Sequence, residues 1–304
     1  MTPVAVFAYN RPVHLGQLLE SLSRCGRLDE CAVTIYCDGP KNEGAAAAVA
    51  ETRQVARAWA AEHGAQVVAR DENRGLARSI AGTVTELCEQ HGRVIVVEDD
   101  FVLAPDFLNY MLLALDRYAD AENVYQVSGF MFPAEHPVSP DAFLMPLTTT
   151  WGWATWERAW QIFDWNAEGA LEALTDPDTR RRFDLDGRYP YANMLEDRLA
   201  GKNDSWGILW WWAVFRARGL CVHPRRSLVR VEGFDGSGTH CGNGDSLNQR
   251  SAGEFLSPVL GPAIQFSPLK GEDRNATQMT FGAIGASVGK RDHLFSWLLK
   301  RWFR

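Results

Sequence analysis

The chain has 304 residues, of which 46% are hydrophobic and 23% charged, values typical of a globular protein with one large domain or two fused ones. Its formal net charge of −7 argues against general nucleic-acid binding, and no apolar run reaches the roughly 20 residues that a membrane-spanning helix needs. The first residues, MTPVAVFAYNRP, enter a predicted strand without a basic region or a cleavage site, so we expect a cytoplasmic protein.

The first 130 residues alternate strand and helix signals. Short apolar runs predict strands at residues 3–9, 32–37, 65–70, 93–97 and 124–129. Apolar spacing and helix-forming composition predict helices at residues 13–22, 45–62, 76–89 and 106–118. Strands that alternate with helices of about a dozen residues indicate crossover connections and a mostly parallel sheet covered on both faces. We therefore predict an α/β fold.

The composition changes after residue 130. Nine of the twelve tryptophans lie between Trp151 and Trp212. Residues 267–290 are polar and Gly-rich, and we expect them to be extended or mobile. The last stretch, DHLFSWLLKRWFR, is both apolar and basic. We therefore predict three parts, which divide the chain into residues 1–130, 131–265 and 266–304.

The tryptophans allow two interpretations. Trp153, Trp156 and Trp160 are three and four residues apart, which favours one core face of a helix. Trp210 to Trp212 are consecutive, so at least one of them should pack against a neighbouring element or line a cleft. Aromatic rings also stack on the apolar faces of sugars, so these segments fit a glycan-binding cleft as well as a thick core.

Six cysteines are spread along the chain without a CxxC pair. A zinc site would require more closely spaced ligands, so this arrangement disfavours one. Cys37 falls in a predicted strand and Cys88 on a predicted helix, and we expect both to be small buried thiols.

Polar clusters follow three of the predicted strands. YNRP follows the first strand, DGP the second and EDD the fourth. Ligands of open parallel sheets bind outside the carboxyl ends of the strands, so these clusters should line one pocket. Asp38 of DGP could accept a hydrogen bond from a nucleotide base, and Arg11 of YNRP could hold a phosphate with two hydrogen bonds.

Two further features of the predicted pocket suit a diphosphate and a metal ion. Arg74 and Arg78, in DENRGLARS, lie where a loop enters a helix, a favourable place for an anion. Asp99 and Asp100 offer hard oxygen ligands that favour Mg²⁺ or Mn²⁺, which could bridge them to the diphosphate.

Each of these residues also has a simpler explanation. Asp38 could cap a turn, Arg74 and Arg78 could be ordinary surface charges, and EDD could interact with the N-terminus of the next helix. Neither a GxxxxGK[ST] loop nor a GxGxxG motif is present, which disfavours P-loop NTPases and dinucleotide-binding enzymes.

Taken in order, VFAYNRPVHLGQLLESL, YCDGP, DENRGLARSI and VIVVEDDF resemble the nucleotide-sugar half of GT-A glycosyltransferases. They are most similar to the group that contains N-acetylglucosaminyltransferase I and its bacterial, family 2-like relatives in polysaccharide gene clusters. The resemblance covers roughly residues 3–240. It implies a GT-A fold, a nucleotide-sugar donor, a Mn²⁺ or Mg²⁺ cofactor, and a glycan or lipid-linked glycan acceptor. UDP is the expected nucleotide, because an Asp suits the N3–H of uracil, although dTDP offers the same group.

The resemblance also implies roles for individual residues. Asp100 would be the direct metal ligand, while Glu98 and Asp99 would contact the donor sugar and the ribose. Arg11 would bind the diphosphate and Asp38 the uracil. The complete predicted donor site is Tyr9, Asn10, Arg11, Asp38, Arg74, Glu98 and Asp99.

The second half should supply the catalytic base and the acceptor site. Transfer with inversion needs one base for the acceptor hydroxyl, and Asp204 best matches the family's catalytic carboxylate, with Glu196 and Asp197 as alternatives. Asp204 could also cap a helix, a role that would not exclude catalysis. Trp153 and Trp206 would contact the acceptor.

The Gly-rich stretch VEGFDGSGTHCGNG, residues 231–244, resembles a loop that orders over the donor in the family. His240 in this stretch would meet the diphosphate or the metal, or would simply be solvated.

Two other functions would use a similar fold. A sugar nucleotidyltransferase needs a Gly-rich basic loop after the first strand, and AYNRP lacks the glycines. A non-catalytic glycan-binding protein would have an inert donor pocket. The C-terminal SWLLKRWFR could rest on an anionic membrane or pack on the protein itself, so peripheral contact with the inner face of a membrane is a further option.

Overall fold

The structure, a computed structural model, describes residues 1–133, 140–233, 255, 257–260, 263–268 and 271–290. Its strands are β1 (Thr2–Ala8), β2 (Cys31–Cys37), β3 (Gln66–Ala69), β4 (Arg93–Glu98), β5 (Phe101–Leu103), β6 (Val124–Ser128), β7 (Ala142–Met145), β8 (Trp153–Trp156), β9 (Leu220–Pro224) and β10 (Val229–Val231). Its α-helices are α1 (Pro12–Ser23), α2 (Ala46–His63), α3 (Leu76–His91), α4 (Phe107–Arg117), α5 (Glu157–Trp160), α6 (Ala170–Ala173), α7 (Pro177–Phe183), α8 (Tyr191–Leu199), α9 (Gly207–Arg216) and α10 (Arg274–Lys290). Within the described ranges, none of the helices combines the length and apolar character needed to cross a membrane.

Eight of the described strands form one sheet in the order β3-β2-β1-β4-β8-β6-β9-β7. β1 pairs in parallel with β2 and β4, β2 with β3, and β6 with β9. β8 is antiparallel to β4 and β6, and β7 is antiparallel to β9. The predicted α/β architecture, a large and mostly parallel sheet flanked by helices, is confirmed. The strands and helices predicted in the first 130 residues are also confirmed, with ends shifted by a few residues.

Strand β4 shows why its sequence is an uninterrupted aliphatic run. Val94 and Val96 pack with residues of α3 in one core cluster, whereas Ile95 and Val97 pack with residues of α1 in another. All four side chains are fully buried. A central strand covered on both faces has no solvent-facing position, so polar residues begin only where the strand ends.

The two predicted halves share this sheet. β8, from the second half, lies between β4 and β6 of the first half. The predicted boundary near residue 130 therefore does not separate two sheets. The division into a donor-binding and an acceptor-binding part stays a proposal.

The interpretation of Trp153, Trp156 and Trp160 as one face of a helix is wrong. Trp153 and Trp156 begin and end strand β8, and Trp160 ends the short helix α5. On a strand, residues three apart point to opposite faces, and these two tryptophans join different core clusters. All three are buried, so the expectation of core packing is correct although the element is not.

Helix α9 is buried on all sides. Trp210, Trp211 and Trp212 are each at most 3% exposed, because α9 lies between the two core clusters. Trp210 packs into one cluster and the other two pack into the second. A helix that is apolar all round is one that other elements enclose, so these tryptophans pack against neighbouring elements.

The expectation that residues 267–290 are extended is wrong for residues 274–290, which form α10. α10 packs on β7 and buries Ala276, Phe281 and Ile284. A Cβ added at Gly285 would lie 3.4 Å from the Arg188 side chain, an ordinary van der Waals contact, so the Arg188 side chain packs beside this position of the helix. The glycines that suggested an extended segment thus lie within a helix. The remainder of the Gly-rich loop, residues 234–244, and the tail, residues 291–304, lie outside the described residues.

Candidate functional site

The loops that follow β1, β2 and β4 meet at the carboxyl edge of the sheet. Backbone hydrogen bonds continue the strand pairing into these loops: Asp38 N donates to Ala8 O at 3.0 Å, and Asp99 N donates to Phe7 O at 2.9 Å. The register also pairs Phe7 with Glu98. The three polar clusters therefore lie side by side because parallel pairing positions the backbone that carries them.

The acidic motif is enclosed and paired with Arg11. Asp99 and Asp100 are 4% and 2% exposed, while Glu98, the last residue of β4, is half buried. Arg11 Nη2 lies 3.1 Å from Asp99 Oδ1, and Arg11 Nη1 lies 3.4 Å from Asp100 Oδ2. Tyr9 N also donates to Asp99 Oδ2 at 3.3 Å. Adjacent buried carboxylates are costly unless positive charge offsets them, and Arg11 supplies one such charge.

Asp38 holds the loop between β3 and α3. Its Oδ1 accepts hydrogen bonds from Gly39 N and Arg74 N, both at 3.0 Å. Its Oδ2 accepts from Gly75 N at 3.0 Å and from Arg74 N at 3.2 Å. A carboxylate has about four acceptor positions, so a base N–H at Asp38 would have to share these oxygens with the loop. The contact of Asp38 with uracil stays a prediction.

Two side chains that the sequence reasoning missed reinforce this loop arrangement. Asn73 Nδ2 donates to Gly39 O at 2.8 Å, which joins the loops after β2 and β3. Arg53, on α2, donates to the carbonyl oxygens of Asp38 and Arg70. Both bind backbone oxygens of residues distant along the chain, so neither leaves a local pattern in the sequence.

Tyr9 and Asn10 form the turn between β1 and α1 and are half buried. The Tyr9 hydroxyl accepts a hydrogen bond from Lys41 N at 3.0 Å, so Tyr9 connects the loops after β1 and β2. The structure thus places both residues beside the acidic motif, and their contacts with a donor stay predictions.

Arg74 and Arg78 have exposed side chains, and within the described ranges neither guanidinium forms an ion pair. The backbone of Arg74 is held by Asp38. Its side chain lines a groove of about 950 Å³ beside β3, together with Arg70 and Tyr36. The contact of Arg74 with the donor stays a prediction.

Asp99 and Asp100 suit a hard divalent cation. In the described part of the chain, no group of three or more His, Cys, Asp or Glu side chains is arranged to enclose a metal ion. Mg²⁺ and similar ions commonly bind through one or two carboxylates together with substrate phosphates, so two carboxylates beside a phosphate-binding arginine fit this chemistry. His240, the other predicted ligand, lies outside the described residues.

Asp204 lies in the turn that leads into α9. It is exposed, and among the described residues its carboxylate forms no hydrogen bond or ion pair. The neighbouring Ser205 hydroxyl accepts a hydrogen bond from Ile208 N at 3.2 Å, so Ser205 rather than Asp204 caps the helix. The turn is fixed by Asn203 Oδ1, which accepts from Ser205 N at 3.0 Å.

The start of α9 lies toward the same edge of the sheet as the acidic motif. The ring of Trp206, just before α9, lies 5.4 Å from the ring of Trp153. Trp153 pairs with Val96, two residues before Glu98. This packing brings the turn that holds Asp204 to the carboxyl edge.

The two alternative bases are engaged in ion pairs. Asp197 Oδ1 lies 2.9 Å from Lys202 Nζ. Glu196 pairs with Arg180, which donates to both of its carboxylate oxygens. Both pairs lie at the surface, so each carboxylate already has a structural partner that Asp204 lacks among the described residues.

Trp153 and Trp206 do not face a cleft. Trp153 is fully buried and Trp206 is 2% exposed. The Trp153 ring is in contact with the rings of Trp160, Trp206 and Trp210, and the Trp206 ring is also in contact with that of Trp160. Their predicted contact with an acceptor is therefore not supported by this arrangement, because an aromatic ring must be accessible to stack on a sugar.

A short ribbon connects the acidic motif to a later part of the chain. β10 pairs antiparallel with β5, and Glu232 N donates to Asp100 O at 2.9 Å. Farther along, Asp106 Oδ2 accepts hydrogen bonds from Val259 N at 3.0 Å and Leu260 N at 2.6 Å. The residues that precede and follow 234–254 are thus both attached to the stretch that begins at Asp100. This pairing is distant in sequence, and no local motif predicted it.

No protein-family model and no curated protein matches the chain. Among solved structures, it is similar to S. aureus TarS 1-349 with 16% identity and a TM-score of 0.38, over 59% of this chain and 50% of that chain. It is similar to glucosyl-3-phosphoglycerate synthase from Mycobacterium tuberculosis in complex with Mn²⁺, UDP and glucosyl-3-phosphoglycerate, with 13% identity and a TM-score of 0.34, over 54% of this chain and 58% of that chain. The chain spans less than two thirds of either structure, and similarity at this level does not assign it to a family.

Proposed function

We propose that this protein is a metal-dependent, inverting glycosyltransferase that uses a nucleotide-diphosphate sugar, with UDP as the nucleotide. The observation that carries the proposal is the buried pair Asp99 and Asp100, held by Arg11 at the carboxyl edge of the sheet, beside the loop that Asp38 organises. The α/β architecture and the ordered motifs that resemble GT-A enzymes support the same function. By that resemblance, the transferred group is a hexose or an N-acetylhexosamine.

The donor would bind across the loops at the carboxyl edge. Its diphosphate would lie near the guanidinium of Arg11, and its nucleoside near Asp38 and Tyr9. Mn²⁺ or Mg²⁺, held by Asp100 with Asp99 beside it, would neutralise negative charge on the departing diphosphate.

The chemical step would be an in-line displacement at the anomeric carbon. A bond forms between the acceptor oxygen and C1 while the bond from C1 to the phosphate oxygen breaks, and the nucleoside diphosphate leaves with the electron pair. Asp204 would accept the proton of the acceptor hydroxyl as the new bond forms. Its lack of a partner among the described residues and its place at the carboxyl edge support this role.

The acceptor is proposed to be a hydroxyl of a glycan or a lipid-linked glycan in polysaccharide or glycoconjugate synthesis. A lipid-linked acceptor suits the apolar and basic C-terminal sequence DHLFSWLLKRWFR, which could hold the enzyme at the inner face of a membrane. The protein would then work in the cytoplasm.

The proposed function is tested by the effect of Asp204→Asn on the rate of sugar transfer from the UDP-sugar and on the slow hydrolysis of the UDP-sugar by water. We expect kcat for UDP-sugar turnover to fall by about 10²–10⁴-fold, since general-base catalysis typically contributes that much, while the Kd for UDP with Mn²⁺ stays unchanged. NMR of the product should show inversion at the anomeric carbon.

Asp197→Asn is the matched control, because it makes the same chemical change seven residues away in a surface ion pair with Lys202. We expect it to keep wild-type turnover. Loss of turnover in Asp197→Asn with normal turnover in Asp204→Asn would contradict the assignment of the base. UDP and Mn²⁺ binding without turnover of any UDP-sugar would favour a glycan-binding protein instead.

A further inference from the structure

Arg11 occupies an unusual place for a residue expected to bind only a diphosphate. Its two terminal nitrogens reach Asp99 Oδ1 at 3.1 Å and Asp100 Oδ2 at 3.4 Å, so one guanidinium spans both carboxylates. The two aspartate side chains are 5% and 2% exposed, whereas the Arg11 side chain is 22% exposed. The carboxylates are thus enclosed, and the guanidinium that pairs with them is the more exposed partner.

This geometry sets the guanidinium and a divalent cation in competition. A cation bound by Asp99 and Asp100 would lie a few ångströms from the positive charge of Arg11, and like charges at that distance in a partly buried site repel strongly. To coordinate the cation, the same carboxylate oxygens would also have to give up their contacts with the N–H groups of Arg11. The cation can therefore bind well only if Arg11 moves away.

Arg11 has a destination for such a movement. It lies just before α1, where its side chain makes no hydrogen bond that caps the helix. A guanidinium binds phosphate oxygens with two parallel hydrogen bonds, as it binds carboxylates. A diphosphate at the carboxyl edge would offer Arg11 a second anionic partner.

We propose that Arg11 is a positioning residue that acts as an internal counter-ion for Asp99 and Asp100, and that its transfer to a nucleoside diphosphate opens the carboxylates to the metal. Arg11 would therefore couple the binding of the cation to the binding of the nucleotide, so that each ligand raises the affinity of the other. The nucleotide part of this proposal rests on the proposed function, whereas the competition between Arg11 and the metal does not.

The first experiment measures Mn²⁺ binding alone, by the EPR signal of free Mn²⁺, in the wild type, Arg11→Gln and Arg24→Gln. Arg24 lies at the other end of α1, in an exposed pair with Glu20, so its variant controls for the loss of one positive charge. We expect Arg11→Gln to bind Mn²⁺ about tenfold more tightly than the wild type, since a nearby positive charge has been removed, and Arg24→Gln to match the wild type. Equal or weaker Mn²⁺ binding by Arg11→Gln would overturn the proposal.

The second experiment measures the UDP affinity by calorimetry with and without Mn²⁺ in the same three proteins. In the wild type and Arg24→Gln, Mn²⁺ should strengthen UDP binding. The factor by which Mn²⁺ strengthens UDP binding should be at least about fivefold smaller in Arg11→Gln. Couplings between two ligands typically amount to about 5–150-fold, and this variant lacks the residue that is proposed to couple them. An unchanged factor would overturn the coupling. If UDP binds none of the proteins, the proposed function fails, and the Mn²⁺ measurement still decides whether Arg11 competes with the metal.

Arg11→Gln leaves two enclosed carboxylates without the guanidinium, so its melting temperature provides a further test. We expect a lower melting temperature than in the wild type, and a larger increase on addition of Mn²⁺, because the metal replaces the missing positive charge. If Mn²⁺ raised the melting temperature of Arg11→Gln no more than that of Arg24→Gln, Arg11 would be a structural residue only.

Discussion

Gly39 brings together two loops of the candidate nucleotide site. A Cβ at this position would lie 2.6 Å from the carbonyl oxygen of Glu72 and 2.7 Å from that of Asp71. Backbone atoms at those distances cannot be accommodated without moving one of the loops. Asn73 adds a hydrogen bond across the same contact. The DGP sequence predicts a turn, but the close approach of the second loop is what requires the glycine.

We therefore expect Gly39→Ala to lower the free energy of unfolding by about 1–3 kcal/mol, the usual effect of overpacking, and to weaken UDP binding. Gly16→Ala on α1 is the control, because nothing lies within 4 Å of the added Cβ. It should raise the free energy of unfolding by up to about 1 kcal/mol through helix propensity. Urea titration of both variants measures the difference, and equal stability would contradict the close contact.

Helix α10 tests the packing of a segment whose sequence suggested no helix. Ile284 is fully buried on α10, whereas Met279 on the same helix is 36% exposed. We expect Ile284→Ala to lower the free energy of unfolding by about 2–5 kcal/mol, and Met279→Ala to change it by less than about 0.5 kcal/mol. Chemical denaturation of the two variants checks this. A small effect of Ile284→Ala would mean that α10 does not contribute to the core.

The elements that the sequence predicts well are those whose burial is local and complete. β4 is aliphatic throughout because both faces are covered, so its run of four apolar residues could not be missed. Trp153 and Trp156 were ambiguous because a spacing of three residues fits one face of a helix or two faces of a strand. Other contacts join residues far apart in the chain, such as the pairing of β5 with β10 and the hydrogen bond from Val259 N to Asp106. No periodicity of the sequence predicts such contacts.

The same distinction applies to the candidate site. The strand ends predicted which polar clusters would meet, because parallel pairing brings successive carboxyl ends to one edge. The sequence could not predict that Asp38 would be occupied by the N–H groups of Arg74 and Gly75, or that Arg11 would span the aspartates. Those contacts depend on side-chain conformation and loop position. His240 keeps its predicted role as a proposal, since it lies outside the described residues.

The reactivity of the buried cysteines reports whether solvent reaches the two core clusters. Cys25, Cys37 and Cys88 are buried, as expected for the last two from the sequence. Burial raises the pKa of Cys25 to about 12, of Cys37 to about 11 and of Cys88 to about 12. Since the thiolate is the reactive form, only about one molecule in a thousand or fewer carries each thiolate at pH 8.

We therefore expect iodoacetamide at pH 8 to leave these three thiols unmodified in the native protein and to alkylate them in denaturant, as measured by mass spectrometry of peptides. The pKa values also predict the effect of pH on stability. A thiol whose pKa is raised on folding favours the folded state below its unfolded pKa of about 8.5, and this contribution is lost as pH rises toward 11–12. Rapid alkylation of native Cys88 would contradict a closed core.

The central claim is that the carboxyl edge binds a nucleotide sugar through a metal at Asp100. The most direct measurement is the melting temperature of the wild type and Asp100→Ala with UDP-, dTDP-, GDP- and CMP-sugars, each with and without Mn²⁺. We predict that UDP-sugars raise the melting temperature of the wild type only when Mn²⁺ is present, and that Asp100→Ala shows no such increase. The absence of any increase with any donor, or an increase that neither Mn²⁺ nor Asp100→Ala alters, would contradict the claim.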